Sequence, residues 1–325
     1  MQTLAAGRPP GHPPTLPRVS RSAAAVLLVA VVLACRAHAP EPNVGGPALA
    51  RGELAVGGRT RTYAFYRPGG AGPFPLVLAL HGRFGDGQGQ DRMSGFAKLG
   101  AAERFIVIYP DGFERSWNDL RHAGPAAEAG IDDVAYLTAL VDSFVRERGA
   151  DPARVYAVGL SNGGFMAQTL GCAESARLAA IGSVAATVSE GMVEHCRPTA
   201  ALPVMLVLGT DDPLVPWRGG AIGQDRGSAL SGEDSAAWWA DTDGCRTPPE
   251  RMELPDVDPR DGTRVSRALY APCRDGVEVR LYAVEGGGHT WPRGWRYLGE
   301  WAVGRVSQDL DATEELWRFF QAHHR

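Results

Sequence analysis

Residues 154–164 read Arg-Val-Tyr-Ala-Val-Gly-Leu-Ser-Asn-Gly-Gly, and this stretch sets the expectation for the fold. An apolar β-type run breaks at Gly159 into a Gly-x-Ser-x-Gly motif with Ser161 at its centre. The pattern is typical of a strand that turns sharply into a helix and holds a serine hydroxyl at the edge of a sheet. A short glycine-rich motif is weak evidence by itself, so its meaning depends on the rest of the chain.

Composition indicates an ordinary folded protein. The length of 325 residues suits one large α/β domain or two small ones, and the 44% hydrophobic content is ample for a core. The 33 basic and 37 acidic residues give a net charge of −4 without long runs of like charge, so neither nucleic acid nor an anionic membrane surface is an expected partner. The sequence has no Cys-x-x-Cys or His-Glu-x-x-His spacing, and no metal or cofactor is expected.

The N-terminal segment has the pattern of an export signal. Arg8, Arg18 and Arg21 precede an apolar run over residues 23–34, which is too short to span a bilayer and has the length of a signal sequence core. We predict that residues 1–39 form a leader and that the Pro-, Gly- and Ala-rich residues 40–51 form a flexible tether. Residues 52–325 then form a single catalytic domain.

The apolar run ends Val-Leu-Ala-Cys at residues 32–35, which resembles a bacterial lipobox. In that reading Cys35 is lipidated and becomes the mature N-terminus, and this lipid anchor is the only membrane contact expected. The alternative is ordinary signal cleavage near residues 37–39. Both predict an exported bacterial protein, either secreted or held in the cell envelope as a lipoprotein.

Export changes the meaning of the remaining cysteines, because an even number in an oxidising compartment suggests disulfides. Four cysteines permit three pairings, and neighbours in sequence are the simplest choice. We expect Cys172 to pair with Cys196 and Cys245 with Cys273. Residues 256–262 superficially resemble a calcium loop, but the spacing of the acids is wrong, and a hairpin turn is expected there instead.

Strand and helix patterns alternate along the chain, which predicts an α/β fold with a mostly parallel, doubly wound sheet and helices on both faces. A hairpin is predicted over residues 53–66. Strands are predicted at residues 75–80, 105–109, 155–158, 180–184, 204–208 and 277–284. Helices are predicted at residues 91–103, 132–148, from about 163, 235–241 and 310–323.

Catalytic groups of such sheets gather at the carboxyl ends of the strands. A serine nucleophile needs a general base, usually a histidine oriented by a carboxylate. His289 is the one eligible histidine, because it follows a strand and a glycine run downstream of Ser161. The order serine, acid, histidine is that of α/β-hydrolases.

The acid should come from the turn after residues 204–208, where Asp211 and Asp212 are adjacent. Asp212 is preferred, because the Asp-x-x-Val-Pro turn brings Val215 back to pack. An oxyanion also needs backbone N–H donors. The expected donors are the amides of Asn162, after the nucleophile, and Arg83, after the His81-Gly82 pair.

Several motifs together resemble the secreted esterases grouped as polyhydroxybutyrate depolymerase-like and feruloyl or acetylxylan esterase-like proteins. The motifs are His-Gly at 81–82, Asp-Gly at 111–112, Ser-Trp-Asn-Asp at 116–119, Asp-Asp-Val at 132–134, Gly-Leu-Ser-Asn-Gly-Gly at 159–164, Gly-Thr-x-Asp-x-x-Val-Pro at 209–216 and Gly-Gly-Gly-His-Thr-Trp-Pro at 286–292. The resemblance implies a carboxylic ester hydrolase with the α/β-hydrolase fold and Ser161, Asp212 and His289 as its triad. Its substrate would be a small-molecule, oligomeric or polysaccharide ester.

The chain departs from the family pattern at two places. Arg83 and Phe84 follow the His-Gly pair where small residues are more usual, and Asp211 adds an acid beside the expected triad residue. Trp291 and Trp117 lie in loops expected at the active face, where we predict that they contact the substrate. The pattern predicts no oligomeric state.

Two other functions remain open at this stage. A peptidase of the prolyl-oligopeptidase type would share the fold and the triad. A non-catalytic surface lipoprotein could bind glycans on the same scaffold.

Overall fold

The structure is a computed structural model that describes residues 45–223, 226–246 and 248–325. The predicted leader, the lipobox at Cys35 and the first part of the predicted tether lie outside these residues. Within the described ranges, none of the helices is both long enough and apolar enough to cross a membrane.

Ten strands form one sheet and two short strands form a separate hairpin. The strands are β1 Ala50–Val56, β2 Arg59–Tyr66, β3 Phe74–Leu80, β4 Ile106–Pro110, β5 Ala150–Leu160, β6 Ala180–Val184, β7 Val204–Gly209, β8 Gly220–Ala221, β9 Ser228–Ala229, β10 Glu250–Glu253, β11 Arg264–Tyr270 and β12 Val279–Glu285. The order in the large sheet is β1-β2-β4-β3-β5-β6-β7-β12-β11-β10, and β8 pairs with β9.

The middle six strands of the sheet are parallel. They run from β4 through β3, β5, β6 and β7 to β12, and antiparallel strands flank them on both sides. Their carboxyl ends therefore meet at one edge, where the loops that follow β3, β5, β7 and β12 lie together. The expected doubly wound α/β fold is confirmed.

Helices cover both faces of this sheet. They are α1 Gly87–Ser94, α2 Phe96–Glu103, α3 Pro125–Glu128, α4 Asp133–Glu147, α5 Asn162–Ala173, α6 Glu190–His195, α7 Gly232–Thr242, α8 Glu300–Val303 and α9 Ala312–Gln321. Alternate side chains of the fully buried β3 enter two separate cores. Leu78 packs in the core that includes Leu140 of α4, and Val77 packs in the core that includes Phe319 of α9.

Three details differ from the sequence-based expectations. The helix predicted over residues 91–103 is two helices, because Gly95 adopts a φ of 67° and ends α1. The predicted tether is too long, since β1 begins at Ala50 and Leu49 already packs against the core. The last two strands at one side of the sheet, β10 and β11, were not predicted, although they form a hairpin around the turn expected at residues 256–262.

The structure pairs Cys172 with Cys196 and Cys245 with Cys273. The first bond joins the end of α5 to the residue after α6, and the second joins the segment after α7 to the segment after β11. Both disulfides join connecting segments that lie outside the central parallel strands.

A carboxylic acid lies buried beside the second disulfide. The side chain of Asp243 is fully inaccessible to solvent. Its Oδ1 accepts a hydrogen bond from the Leu202 amide at 3.0 Å, and its Oδ2 has no partner. Burial disfavours the charged carboxylate and raises the pKa of Asp243 to about 7.

This buried acid should make stability depend on pH. Between pH ~4 and pH ~7 the folded state keeps a proton that the unfolded state releases, so the free energy of unfolding falls as pH rises, by at most about 1.4 kcal/mol per pH unit. In Asp243→Asn this fall should disappear from the same pH window. Urea unfolding across that window measures it.

The exposed Asp241, which lies two residues earlier on α7, provides the matched control. Asp241→Asn should keep the pH dependence of the parent. An unchanged slope in Asp243→Asn would show that this carboxyl titrates normally.

Candidate active site

Ser161 occupies the turn between β5 and α5 in a strained backbone conformation. Its φ of 55° and ψ of −121° are unusual for a residue with a side chain. Two backbone hydrogen bonds hold it there: the Ser161 amide donates to the Val184 carbonyl at 2.9 Å, and the Phe165 amide donates to the Ser161 carbonyl at 2.9 Å. The strand on one side and the helix on the other therefore fix the position of this serine.

A close backbone contact explains why the serine motif ends in a glycine, Gly163. A Cβ atom on Gly163 would lie 2.3 Å from the Leu80 carbonyl oxygen and 2.6 Å from that of His81. Only glycine lets the start of α5 pack directly on the end of β3. The same contact brings the next turn against the serine, since a Cβ atom on Gly82 would be 3.5 Å from the Ser161 Cβ.

The turn over residues 82–85 is held by its own backbone and by a neighbouring loop. The Gly85 amide donates to the Gly82 carbonyl and the Phe84 amide donates to the Arg115 carbonyl, both at 2.9 Å. In the part of the chain that the structure describes, the amide of Arg83 donates to no protein acceptor, and neither does the amide of Asn162. Two unpaired N–H donors thus come from the two segments that contact Ser161.

Two hydrogen bonds of the His81 side chain hold this turn in place. Its Nε2 accepts a hydrogen bond from the Gly112 amide at 2.9 Å, so Nδ1 carries the proton and donates to the Gly82 carbonyl at 2.8 Å. Burial lowers the pKa of His81, which keeps the ring neutral and preserves both bonds.

The Asn162 side chain joins the long loop after β4 to α5, the helix that follows Ser161. Its Oδ1 accepts from the Trp117 amide at 2.8 Å, and its Nδ2 donates to the Trp117 carbonyl at 3.0 Å. The same Nδ2 donates to Asp119 Oδ2 at 2.6 Å, and Asp119 forms a buried ion pair with Arg121. The Ser-Trp-Asn-Asp segment is therefore part of the framework around Ser161.

The structure brings Asp212, rather than Asp211, to His289. The Asp212 Oδ2 lies 2.7 Å from His289 Nδ1, and both side chains are buried. The other oxygen, Oδ1, accepts from the amides of Leu214 at 2.7 Å and Val215 at 2.8 Å. Asp211 is exposed on the outside of the same turn.

The loop that carries His289 packs against the segments around Val303 and Tyr297. A Cβ atom on Gly288 would lie 2.1 Å from the Val303 carbonyl oxygen, which explains a glycine there. The His289 amide donates to that same oxygen at 2.6 Å, and the Tyr297 hydroxyl donates to the His289 carbonyl at 3.1 Å. No hydrogen bond joins the Ser161 hydroxyl to His289 among the described residues, so Asp212 and His289 form one hydrogen-bonded pair and Ser161 is held separately on its turn.

Both tryptophans expected to contact substrate are buried, and this corrects that expectation. Trp117 is inaccessible, and its Nε1 donates to the His81 carbonyl at 2.8 Å. Trp291 is 1% exposed, and its Nε1 donates to the Thr313 hydroxyl at 2.9 Å. The two rings belong to the core beneath the site, because each is buried and its one polar atom is already paired.

The hydrogen bond from Asn162 to Asp119 was not predicted from the sequence, since it links residues 43 positions apart.

Comparison with known proteins identifies the family. Residues 61–216 match the family described as Esterase PHB depolymerase. NocK of Nocardia uniformis subsp. tsuyamanensis, a protein named as an esterase, is 31% identical over 81% of this chain and 79% of its own length. This chain belongs to the PHB depolymerase family of esterases. Feruloyl esterase B of Piromyces equi is 25% identical over 70% of this chain, which spans only 42% of that protein.

A solved structure shows the same fold. The acetyl xylan esterase from Aspergillus awamori superposes with a TM-score of 0.53 at 16% identity, covering 74% of this chain and 94% of that one. The family is one of carboxylic ester hydrolases, and the fold is that of the α/β-hydrolases.

The Asn162 side chain should contribute strongly to stability. Asn162→Ala removes three buried hydrogen bonds and leaves Asp119 and the Trp117 backbone underpaired, so we expect a loss of about 2–4 kcal/mol in the free energy of unfolding. Asn162→Asp places an oxygen beside the Asp119 carboxylate, and its destabilisation should grow as pH rises and the introduced carboxyl group loses its proton. Urea unfolding at several pH values measures both effects.

Asn118→Ala serves as the control, because the Asn118 side chain donates one hydrogen bond, to the Ile131 carbonyl. Its effect should be smaller and independent of pH. Stability of Asn162→Ala equal to that of the parent would contradict the bridging role of this residue.

Proposed function

We propose that the chain is an exported serine esterase that works through an acyl-enzyme, with Ser161 as nucleophile, His289 as general base and Asp212 as the orienting acid. The observation that supports this most directly is the buried 2.7 Å contact between His289 and Asp212 at the same sheet edge as the strained Ser161 turn. A buried carboxylate on Nδ1 selects the tautomer in which Nε2 can accept a proton.

The reaction then follows from the roles of these groups. The Ser161 oxygen attacks the ester carbonyl carbon while its proton passes to His289 Nε2, and the Asp212 carboxylate stabilises the imidazolium. The carbonyl electron pair becomes an oxyanion, which collapses and expels the alcohol as His289 returns the proton to it. Water, deprotonated by His289, then attacks the acyl-enzyme and releases the carboxylic acid and free Ser161.

We assign the oxyanion site to the backbone N–H groups of Arg83 and Asn162. The absence of a protein acceptor for either amide in the described residues supports this role. The two hydrogen bonds of neutral His81 hold the first donor in place before substrate arrives. Donors that need no rearrangement are worth most in the transition state.

The names of the family and of one relative suggest the substrate range, namely hydroxybutyrate polyesters and feruloyl esters. We propose a small-molecule, oligomeric or polysaccharide carboxylic ester for this chain. Rates on hydroxybutyrate trimer, methyl ferulate and acetylated xylan separate these classes, and a panel of peptide amides tests the peptidase alternative.

We further propose that residues 1–39 direct export, that Cys35 is lipidated and that the catalytic domain begins at Ala50. The two disulfides support an oxidising compartment. Radiolabelled palmitate should label the protein made in bacteria and should not label Cys35→Ser. Labelling of neither protein would favour ordinary signal cleavage.

Ser161→Ala should abolish hydrolysis of a short p-nitrophenyl ester, with a loss on the order of 10⁴-fold or more in kcat, because the nucleophile is removed. The same variant should not react with a fluorophosphonate probe, which labels activated serines. Unfolding by urea should be close to that of the parent and serves as the control for folding. Retained turnover would rule out Ser161 as the nucleophile.

The two adjacent acids provide a matched pair of variants. Asp212→Asn should lower kcat by roughly 10³- to 10⁴-fold, because the imidazole loses the carboxylate that selects its tautomer. Asp211→Asn should keep kcat within about threefold of the parent, because its side chain is exposed. Initial rates on the same ester measure both, and the reverse ranking would move the acid role to Asp211.

A further inference from the structure

Arg83 lies beside the proposed nucleophile and has no anionic partner among the described residues. It follows Gly82, whose backbone contacts Ser161. The Arg83 Nε is buried and has no hydrogen-bond partner. Its guanidinium carbon lies 5.0 Å from the Phe84 ring centroid and would be 3.4 Å from a Cβ on Gly124.

Arg226 lies on the β8–β9 hairpin, which is built onto the same site. Ile222 and Ala229 of the hairpin region pack in a small buried cluster with Phe165 and Val215. Phe165 is one turn after Ser161, and the Val215 amide donates to Asp212. The hairpin therefore contacts both the nucleophile helix and the turn of the acid.

A third arginine, Arg121, contacts both α5 and the hairpin. The Arg121 guanidinium carbon lies 4.0 Å from the Phe165 ring centroid, and a Cβ on Gly227 would be 3.3 Å from the Arg121 carbonyl oxygen. Arg121 is neutralised by the buried Asp119. In the described ranges neither Arg83 nor Arg226 has an ion pair or a side-chain hydrogen bond.

The electrostatic consequence is an excess of positive charge. Partial burial, together with the positive charges of Arg83 and Arg121, lowers the pKa of Arg226. Guanidinium groups that are partly desolvated and lack a counter-charge cost free energy, and an incoming anion would relieve that cost. Arginine also suits a carboxylate well, because its planar fork can donate two parallel hydrogen bonds.

We propose that Arg83 and Arg226 bind a carboxylate group on the ester substrate, so that this enzyme prefers anionic esters over their neutral counterparts. The inference rests on the proposed esterase function and names the substrate class of that site.

The carboxylate could belong to either half of the ester, and two substrate pairs separate the sources. The hydroxybutyrate dimer carries it on the alcohol half, and its methyl ester is the neutral match. The p-nitrophenyl hemiester of succinic acid carries it on the acyl half, and p-nitrophenyl butyrate is the neutral match. For each pair the readout is the ratio of kcat/KM for the anionic ester to that for the neutral ester.

We expect the ratio of at least one pair to fall about tenfold or more in Arg226→Gln and in Arg83→Gln, through a higher KM for the anionic ester. Arg83→Lys keeps the charge and should lose less. Arg146→Gln is the control, because it removes an exposed arginine on α4, outside this cluster, and should keep the ratio of the parent. Added salt should lower the ratio of the parent as well, since it screens the attraction.

Because the readout is a ratio, a general loss of turnover in the Arg83 variants does not affect it. Ratios that stay at the parent value in both glutamine variants, for both substrate pairs, would overturn the anion site while leaving the esterase assignment intact. Failure of the esterase assignment would look different: the parent would hydrolyse none of the four esters and Ser161 would not react with a fluorophosphonate.

Discussion

The close contact between the start of α5 and the end of β3 is the constraint on which the rest of the site depends. The helix backbone lies directly on the Leu80 and His81 carbonyl groups, where no side chain larger than glycine fits at Gly163. That contact forces Ser161 into its strained turn and places the Gly82 turn against it. Ser161, the proposed nucleophile, and the turn beside it are thus positioned by the packing of two buried backbone segments on each other.

Hydrogen bonds of buried polar side chains then hold the surrounding loops in position. Neutral His81 joins the Gly82 turn to Gly112, and Asn162 joins α5 to Trp117 and Asp119. Each polar atom of these side chains has a partner, which is the condition under which a buried network adds rigidity rather than cost. Asp243 shows the opposite case, because its unpaired oxygen remains buried and its pKa rises instead.

Periodic patterns predicted the central fold well, because strands buried on both faces are continuous apolar runs. The predicted strand at residues 180–184 has the same bounds as β6. Strands β10 and β11 at one side of the sheet were missed, because β10 is exposed along its whole length, β11 is only partly buried, and their sequence does not alternate clearly. Trp117 and Trp291 were misplaced for a related reason: a loop position suggests exposure, whereas these loops fold inward and bury the rings.

The sequence by itself determined the fold class, the serine turn and the eligible histidine, because each depends on local pattern or on a unique residue type in the right order. The sequence favoured Asp212 over Asp211 only through its turn pattern, and the tertiary structure decided between them, since one of the two alone reaches His289. The sequence did not indicate that Arg83, Arg121 and Arg226 lie on loops at one edge of the sheet. The tertiary structure decides that placement, because strands far apart in sequence bring the loops that follow them to the same edge only once the strands pair.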